Sequence, residues 1–396
     1  MRIAILTSGI LPVPAVQGGA VENLTDFYLE YNDRQRLHDI TVYSVWHPRV
    51  ERHPALLSAV NHYRYIKVTG LMARLRRKLY HLTHGPEYYH YTIEYYLSQA
   101  MADIARHRYD LIILENRPAY ALKLRSVTRS PLVYHLHNDK LTTEAPRCHD
   151  IYDAATRILT VSDYIRRGVQ AISPGDAKTV TVYNGIDLTA FTPADAAAAR
   201  ARAGFAADDF ILVFSGRVTP EKGILQLIDA MLLLADKPRL KLLVIGSSFY
   251  GNDDNSNPFG RLLASRAAPL SGRIRFTGFV PYSQMPHYLS MADAAVVPSV
   301  WDDPFPTTVL EAQAMGLPVI ATRRGGIPEE VTDESAILID TDSHFTANLA
   351  GAISHLYTHP DRCRAMARAA RHHSPRFDKW RYARDFFAAL PQRVTM

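Results

Sequence analysis

Cysteine is scarce in this chain: two residues, Cys148 and Cys363, in 396. So few thiols exclude a disulfide framework and a cysteine-based metal site, and both read as reduced, small residues. Long apolar runs are missing too. The longest stretch worth testing, residues 224–235, contains Asp229 and falls well short of the about 20 residues that a helix needs to cross a bilayer. The opening MRIAILTSGILPVPAV has one basic residue and no A-x-A end, so no signal peptide is expected and the cytoplasm is the expected compartment. No G-x-G-x-x-G follows a strand, and G-x-x-x-x-G-K-[ST], G-x-S-x-G and H-E-x-x-H are all absent. The dinucleotide, P-loop, nucleophile-elbow and zinc-helix chemistries of α/β proteins thus lose their signatures. Nor is there a repeat of 20 to 50 residues, and low complexity is confined to the alanines at 196–199.

What is present is globular: 47% apolar and 21% charged residues, in a chain longer than the about 250–300 residues at which single cores stop growing. Two domains are the default. Short β-branched runs alternate with helical patterns throughout, the mark of βαβ units and a mostly parallel sheet. The first set is RIAILTS, DITVYSV, HYRYIKV, YDLIILE, PLVYHLH, RILTVS and TVTVYNG; the second, restarting at Phe210, is FILVFSG, LKLLVIG, RIRFTGF, DAAVVPS, PVIAT and SAILID. Between them FTPADAAAARARAGFAADD has no strand pattern and reads as the junction. Two doubly wound α/β domains follow, with ligands expected at the carboxyl ends of the strands in a central cleft.

Charge is unevenly spread. Arg52, Arg64, Lys67, Arg74, Arg76, Arg77 and Lys78 lie in residues 52–86 without a single acid, whereas the whole chain carries a net +6. Leu71, Met72, Leu75, Leu79 and Leu82 recur there at helical spacing, which predicts a basic amphipathic helix. A solvated helix face is one expectation; a surface for anionic lipid or a phosphate-bearing substrate, through residues 64–81, is the other.

Three constellations can carry chemistry. In QGGAVE, residues 17–22, Gly18 and Gly19 let backbone amides approach a ligand at a helix start, where N–H groups and the macrodipole favour anions; a simple turn is the competing expectation. In GRVTPEKG, residues 216–223, a strand ends at Arg217 and Lys222 is expected in the first turn of a helix capped by Thr219. A cation there opposes the macrodipole, so an anion held by both side chains is the functional reading, and guanidinium plus ammonium suit a diphosphate; the competing expectation is a capping signal with an exposed lysine. The third, PSVWDDPFPTTVLEAQAMGLPVIATRRGGIPEEV from Pro298, is the most specific. A helix is expected near Thr307, with free amides at Thr307, Thr308 and Val309 as a second phosphate cradle. Glu311, too far inside to cap, suits a ribose and Asp303 a sugar; the competing expectation is a turn-closing Asp303 and a surface Glu311.

This last stretch resembles the signature of retaining nucleotide-sugar glycosyltransferases of the two-domain GT-B architecture, family 4: two glutamates separated by seven residues, then an A-x-G-x-P-V-I-A strand and a Gly-Gly turn. The chain reads Asp303, seven residues, Glu311, and AMGLPVIATRRGGIPE. QGGAVE, VYNGID, GRVTPEKG, VIGSS and FTGFVP fall in the family's order, so the likeness spans nearly the whole chain. It implies an α/β fold with two Rossmann-like domains, acceptor-binding over 1–190 and nucleotide-sugar-binding over 191–375, with a last helix, 376–396, crossing back.

Residue by residue, the resemblance gives Arg217 and Lys222 the donor diphosphate, Glu311 the ribose and Asp303 the transferred sugar. Gly19, Gly216, Gly246 of VIGSS, Thr307, Thr308 and Val309 complete the donor side. His137 of HLHND matches a histidine near the reacting centre, and Gly18, Asn116, Arg117 and Asn138 fall on the acceptor side, as in the envelope-polysaccharide branch. Asp303 departs from the family's glutamate by one methylene. No bound metal and no cofactor beyond the sugar-nucleotide co-substrate, a UDP-sugar, is implied; Asp253 and Asp254 in GNDDNSNP read as a turn. The implied acceptor is a saccharide or lipid-linked saccharide, with no nucleic acid, and the site of action the inner face of the cell membrane. A sugar-nucleotide epimerase of the same architecture and a non-catalytic polysaccharide-binding protein are the competing functions.

Overall fold

The computed structural model describes residues 1–70, 73, 75, 91–247 and 258–392. Most of the expected basic helix, including Arg74, Arg76, Arg77 and Lys78, lies outside them, as do Asp253 and Asp254. Among the described residues no helix is long and apolar enough to cross a membrane.

The chain forms two units, one from Met1–Asn184 with Lys379–Met396, the other from Gly185–Asp378. The second unit begins at Gly185 rather than 191 and ends at Asp378 rather than 375. The reason is local: Ile186 pairs with Asp378, and its N–H donates to the Phe377 carbonyl at 2.8 Å, which ties residues just after Asn184 to the second unit.

The first unit holds β1 (Arg2–Leu6), β2 (Asp39–Val45), β3 (Asn61–Ile66), β4 (Leu111–Glu115), β5 (Leu132–Leu136), β6 (Arg157–Thr160) and β7 (Thr179–Thr181). They pair in parallel in the order β3-β2-β1-β4-β5-β6-β7. The second unit repeats the pattern with β8 (Phe210–Ser215), β9 (Leu240–Ile245), β10 (Ile274–Phe276), β11 (Ala294–Val297), β12 (Val319–Thr322) and β13 (Ala336–Ile339) in the order β10-β9-β8-β11-β12-β13. Central strands are mostly apolar because helices cover both faces of a doubly wound sheet, with Glu115 and His135 as buried polar members of β4 and β5. LIILE of β4, LVYHL of β5 and AAVV of β11 are buried at every position.

Each sheet changes direction beside its first strand, at β1/β4 and at β8/β11, which opens a crevice past the strand ends. In the first unit the core joins Ile3, Ile5, Val42, Ile113 and Val133 to Tyr28 and Phe386. The last helix, Lys379–Ala389, lies on the first, Ala20–Gln35: Phe386 stacks on Tyr28 with ring centroids 4.1 Å apart, and Lys379 Nζ donates to Glu30 Oε2 at 2.8 Å. In the second unit Leu212, Val244 and Val296 pack against Leu227, Ile228 and Ile353.

Candidate functional site

In the second unit the expected donor-side residues converge on the ends of β8, β9 and β11. Gly216 (φ +133°) and Gly246 (φ +134°) follow β8 and β9, and a Cβ on Gly246 would stand 1.9 Å from the Gly216 carbonyl oxygen. Only glycine permits that approach. Lys222 lies in a 3₁₀ turn, Pro220–Lys222, rather than in the first turn of an α-helix. Gly223, at φ +73°, ends the turn, and the α-helix begins at Ile224. Thr219 makes no capping bond through its side chain, so that part of the expectation is corrected.

The Lys222 ammonium donates to Asp303 Oδ2, which also accepts from Ser299 Oγ at 3.3 Å. Asp303 is buried. It therefore does not merely close an exposed turn: its carboxylate holds Lys222 in place. Arg217 stays half-exposed, 3.6 Å from Glu221.

The helix Thr307–Ala314 starts where expected, without a side-chain cap, so its first N–H groups carry the positive end of the dipole. One of the three expected amides is already used, since Val309 N–H donates to the Pro306 carbonyl at 3.0 Å. Thr308 comes within 4.0 Å of where a Gly216 Cβ would stand. Glu311 is buried rather than on the surface. Burial pushes its carboxyl up to about 8, against a hydrogen bond from Thr307 Oγ1 at 3.3 Å.

Sequence patterns gave no warning of Glu330. It is fully buried, neither carboxylate oxygen has a partner, and burial followed by the neighbouring Asp303 charge pushes it well above the usual carboxylate range.

In the first unit the acceptor-side residues gather past β4 and β5. Asn116, in the left-handed region at φ +58°, places Oδ1 to accept from His137 N–H at 3.1 Å and from Asn138 Nδ2 at 2.6 Å. Arg117 lies next in the chain, with Nε buried and without a partner. His137 Nε2 is 3.1 Å from Glu115 Oε2, and His135 Nδ1 lies 3.1 Å from the same oxygen. Glu115 and His135 were not expected here. The signal was nonetheless present: His135 and His137 are two apart on one face of the strand end, and register pairs Glu115 with His135. Among the described residues this trio is the group whose ligand atoms, all within 4.8 Å, could hold a metal ion.

At QGGAVE the helix opens after Gly19 as expected, but Glu22 folds over it. A Cβ on Gly19 would meet Glu22 Oε2 at 2.1 Å. Burial, partly offset by a bond from its own backbone N–H, pushes Glu22 up to about 7. The Glu22 carboxyl group therefore crowds Gly19, and the Gly18 N–H is already used by the Ala15 carbonyl at 2.9 Å.

Residues 195–373 match the family model of Glycosyl transferases group 1. The chain is 31% identical over 307 residues to a D-inositol 3-phosphate glycosyltransferase of Saccharomonospora viridis, covering 74% of this chain and 67% of that one. It is 27% identical to the putative glycosyltransferase YtcC of Bacillus subtilis, covering 94% and 87%. Among solved structures, Anabaena HepE in complex with UDP-glucose superposes with a TM-score of 0.74 at 22% identity, over 98% of this chain and all of that one. With two parallel Rossmann-like sheets of GT-B type and this set of relatives, the chain belongs to the group 1 glycosyltransferase family and is a glycosyltransferase.

Proposed function

We propose that the chain transfers a sugar, with retention and without a metal, from a UDP-sugar to a saccharide or lipid-linked saccharide in envelope polysaccharide synthesis. The observation that carries this is the pairing of half-buried Lys222 with buried Asp303 in the same unit as Glu311 and the glycine-lined ends of β8 and β9. The HepE complex with UDP-glucose supports the choice of nucleotide.

Glycosyl transfer breaks the bond between the anomeric carbon and a phosphate oxygen. The electron pair leaves on the diphosphate, and the acceptor oxygen forms the new bond while its proton passes to the departing phosphate. Negative charge grows on the leaving group, so preorganised cations and helix-start amides lower the barrier. Lys222 and Arg217 are the cations, and the amides of Thr307 and Thr308 extend the cradle. Asp303 keeps the ammonium oriented before the donor arrives. Glu311 hydrogen-bonds the ribose, and its raised proton affinity lets it donate as well as accept. His137 serves the reacting sugar or acceptor. The segment 64–81 would rest on anionic lipid.

A panel of sugar nucleotides tests this through release of UDP, GDP or ADP, with NMR of the product's anomeric centre. UDP release with an unchanged anomeric configuration, in EDTA, is expected. A new sugar nucleotide formed from donor alone would assign an epimerase instead. For the membrane role, reversing Arg74, Arg76, Arg77 and Lys78 to Glu should abolish binding to phosphatidylglycerol liposomes; unchanged binding rejects it.

A further inference from the structure

The fold buries a carboxylate, Glu115, at the end of β4 with its side chain 1% exposed. An ionised group so placed is costly unless hydrogen bonds satisfy both oxygens. Tyr28 Oη donates to Oε1 at 2.8 Å. The remaining capacity faces two imidazoles, with His135 Nδ1 at 3.1 and 3.2 Å from the two oxygens and His137 Nε2 at 3.1 Å from Oε2. These two nitrogens are 3.2 Å apart. If one donated to the other, Glu115 would lose a donor, so both N–H groups point at the carboxylate.

His135 is thereby committed. Its Nε2 is buried and has no partner, and the ring packs against Phe386 with centroids 5.1 Å apart. A bare lone pair there is less costly than an unsatisfied N–H. His137 differs, because its side chain is 5% exposed, and its Nδ1 is not among the buried unpaired atoms. That nitrogen reaches the surface past the end of β5, the edge at which doubly wound sheets bind ligands.

We propose that Glu115 is a positioning residue that fixes His137 with its proton on Nε2, so that the Nδ1 lone pair faces outward as the acceptor of a hydrogen bond from a substrate hydroxyl. Burial, then the neighbouring His135, lowers His137 to about 4, which keeps the ring neutral. A carboxylate that sets the tautomer of a working histidine is a general device, and losing it costs turnover rather than binding. Identifying the hydroxyl as that of a sugar or acceptor rests on the glycosyl-transfer reading above.

Imidazole ¹⁵N–¹H spectra of the full chain test the tautomer, with the His137 signal identified by its loss in His137→Gln. The wild type is expected to show Nε2–H. Glu115→Leu, which keeps bulk but removes both acceptors, should move the proton at least partly to Nδ1. UDP release from UDP-glucose should then fall about 100-fold in kcat, with KM within twofold. If that variant does not fold, Glu115→Asp should give a smaller shift and a smaller loss in the same direction. An Nδ1–H tautomer in the wild type, or an unchanged tautomer and kcat in the variant that folds, overturns the proposal. So does one equivalent of a transition metal by elemental analysis that His135→Gln abolishes, since the nitrogens would then be ligands. Should the wild type release no UDP, the glycosyl-transfer reading fails, while the spectra still decide the tautomer.

Discussion

Glu311 holds its proton to about 8 because the helix Thr307–Ala314 buries it with one hydroxyl donor. A folded-state value raised above the unfolded one makes the group stabilising below pH about 4.5, and that contribution is lost as pH rises through about 8. Glu311→Gln, which cannot ionise, should therefore melt above the wild type at pH 9, with the gap closing toward pH 5; calorimetry across that range checks it. Lys222 sits at the opposite pole. Lys222→Ala should cost about 100- to 1,000-fold in kcat for UDP release, and Lys222→Arg should not restore it, because Asp303 is placed for a compact ammonium. Both residues were legible in the sequence as chemistry. Their settings were not: Asp303 precedes Glu311 by a fixed spacing, but nothing in that spacing shows that its oxygen faces Lys222, 81 positions away. Glu115 was overlooked for a similar reason, since it ends an apolar strand and acquires its meaning only when register brings His135 alongside. Gly246 was legible as a motif residue, and the structure supplies its cause. Gly246→Ala would force a Cβ into the Gly216 carbonyl oxygen at φ +134°, and a loss of about 2–4 kcal/mol in urea unfolding is expected.

Among the elements, every strand of both sets could be read from the sequence: central strands covered on both faces are mostly apolar, whereas the partly exposed edge strands β3 and β10 show in their β-branched and aromatic residues. RIAIL, LIILE and FILVFS leave little choice. Short turns were less legible. The stretch TPEKG carries all the signs of a helix start, yet Gly223 in the left-handed region splits it into a 3₁₀ turn and a later helix, a boundary that local propensity does not resolve. The last helix is decided by packing. Tyr28, Phe386 and Phe387 cluster, with Phe386 also against His135. Phe386→Ala should cost about 3–5 kcal/mol. It should also loosen the wall behind His135, so that the imidazole spectra broaden while the donor-side residues are untouched. Denaturant midpoints and the spectra together check both effects.

At the scale of the whole molecule, the two units are built differently along the chain. The second is one continuous segment, Gly185–Asp378, whereas the first needs residues from both ends. Among the described residues, the second unit has its own six-stranded sheet and core, built from that one segment. In the first, Tyr382, Ala383, Phe386 and Leu390 belong to the same buried cluster as Ile3, Tyr28 and Val133. Removing them exposes the apolar stripe of the first helix, at about 25 cal/mol for each Å² uncovered, in a fold whose total margin is only about 5–15 kcal/mol. A fragment of residues 185–378 should therefore unfold cooperatively by circular dichroism, while residues 1–184 alone should not. Adding a peptide of residues 379–392 to the 1–184 fragment should restore a cooperative transition, because Phe386 would again cover Tyr28 and Lys379 would again reach Glu30. A cooperative melt of 1–184 without the peptide would mean that the seven-stranded sheet closes its core unaided, and that the last helix contributes position rather than stability.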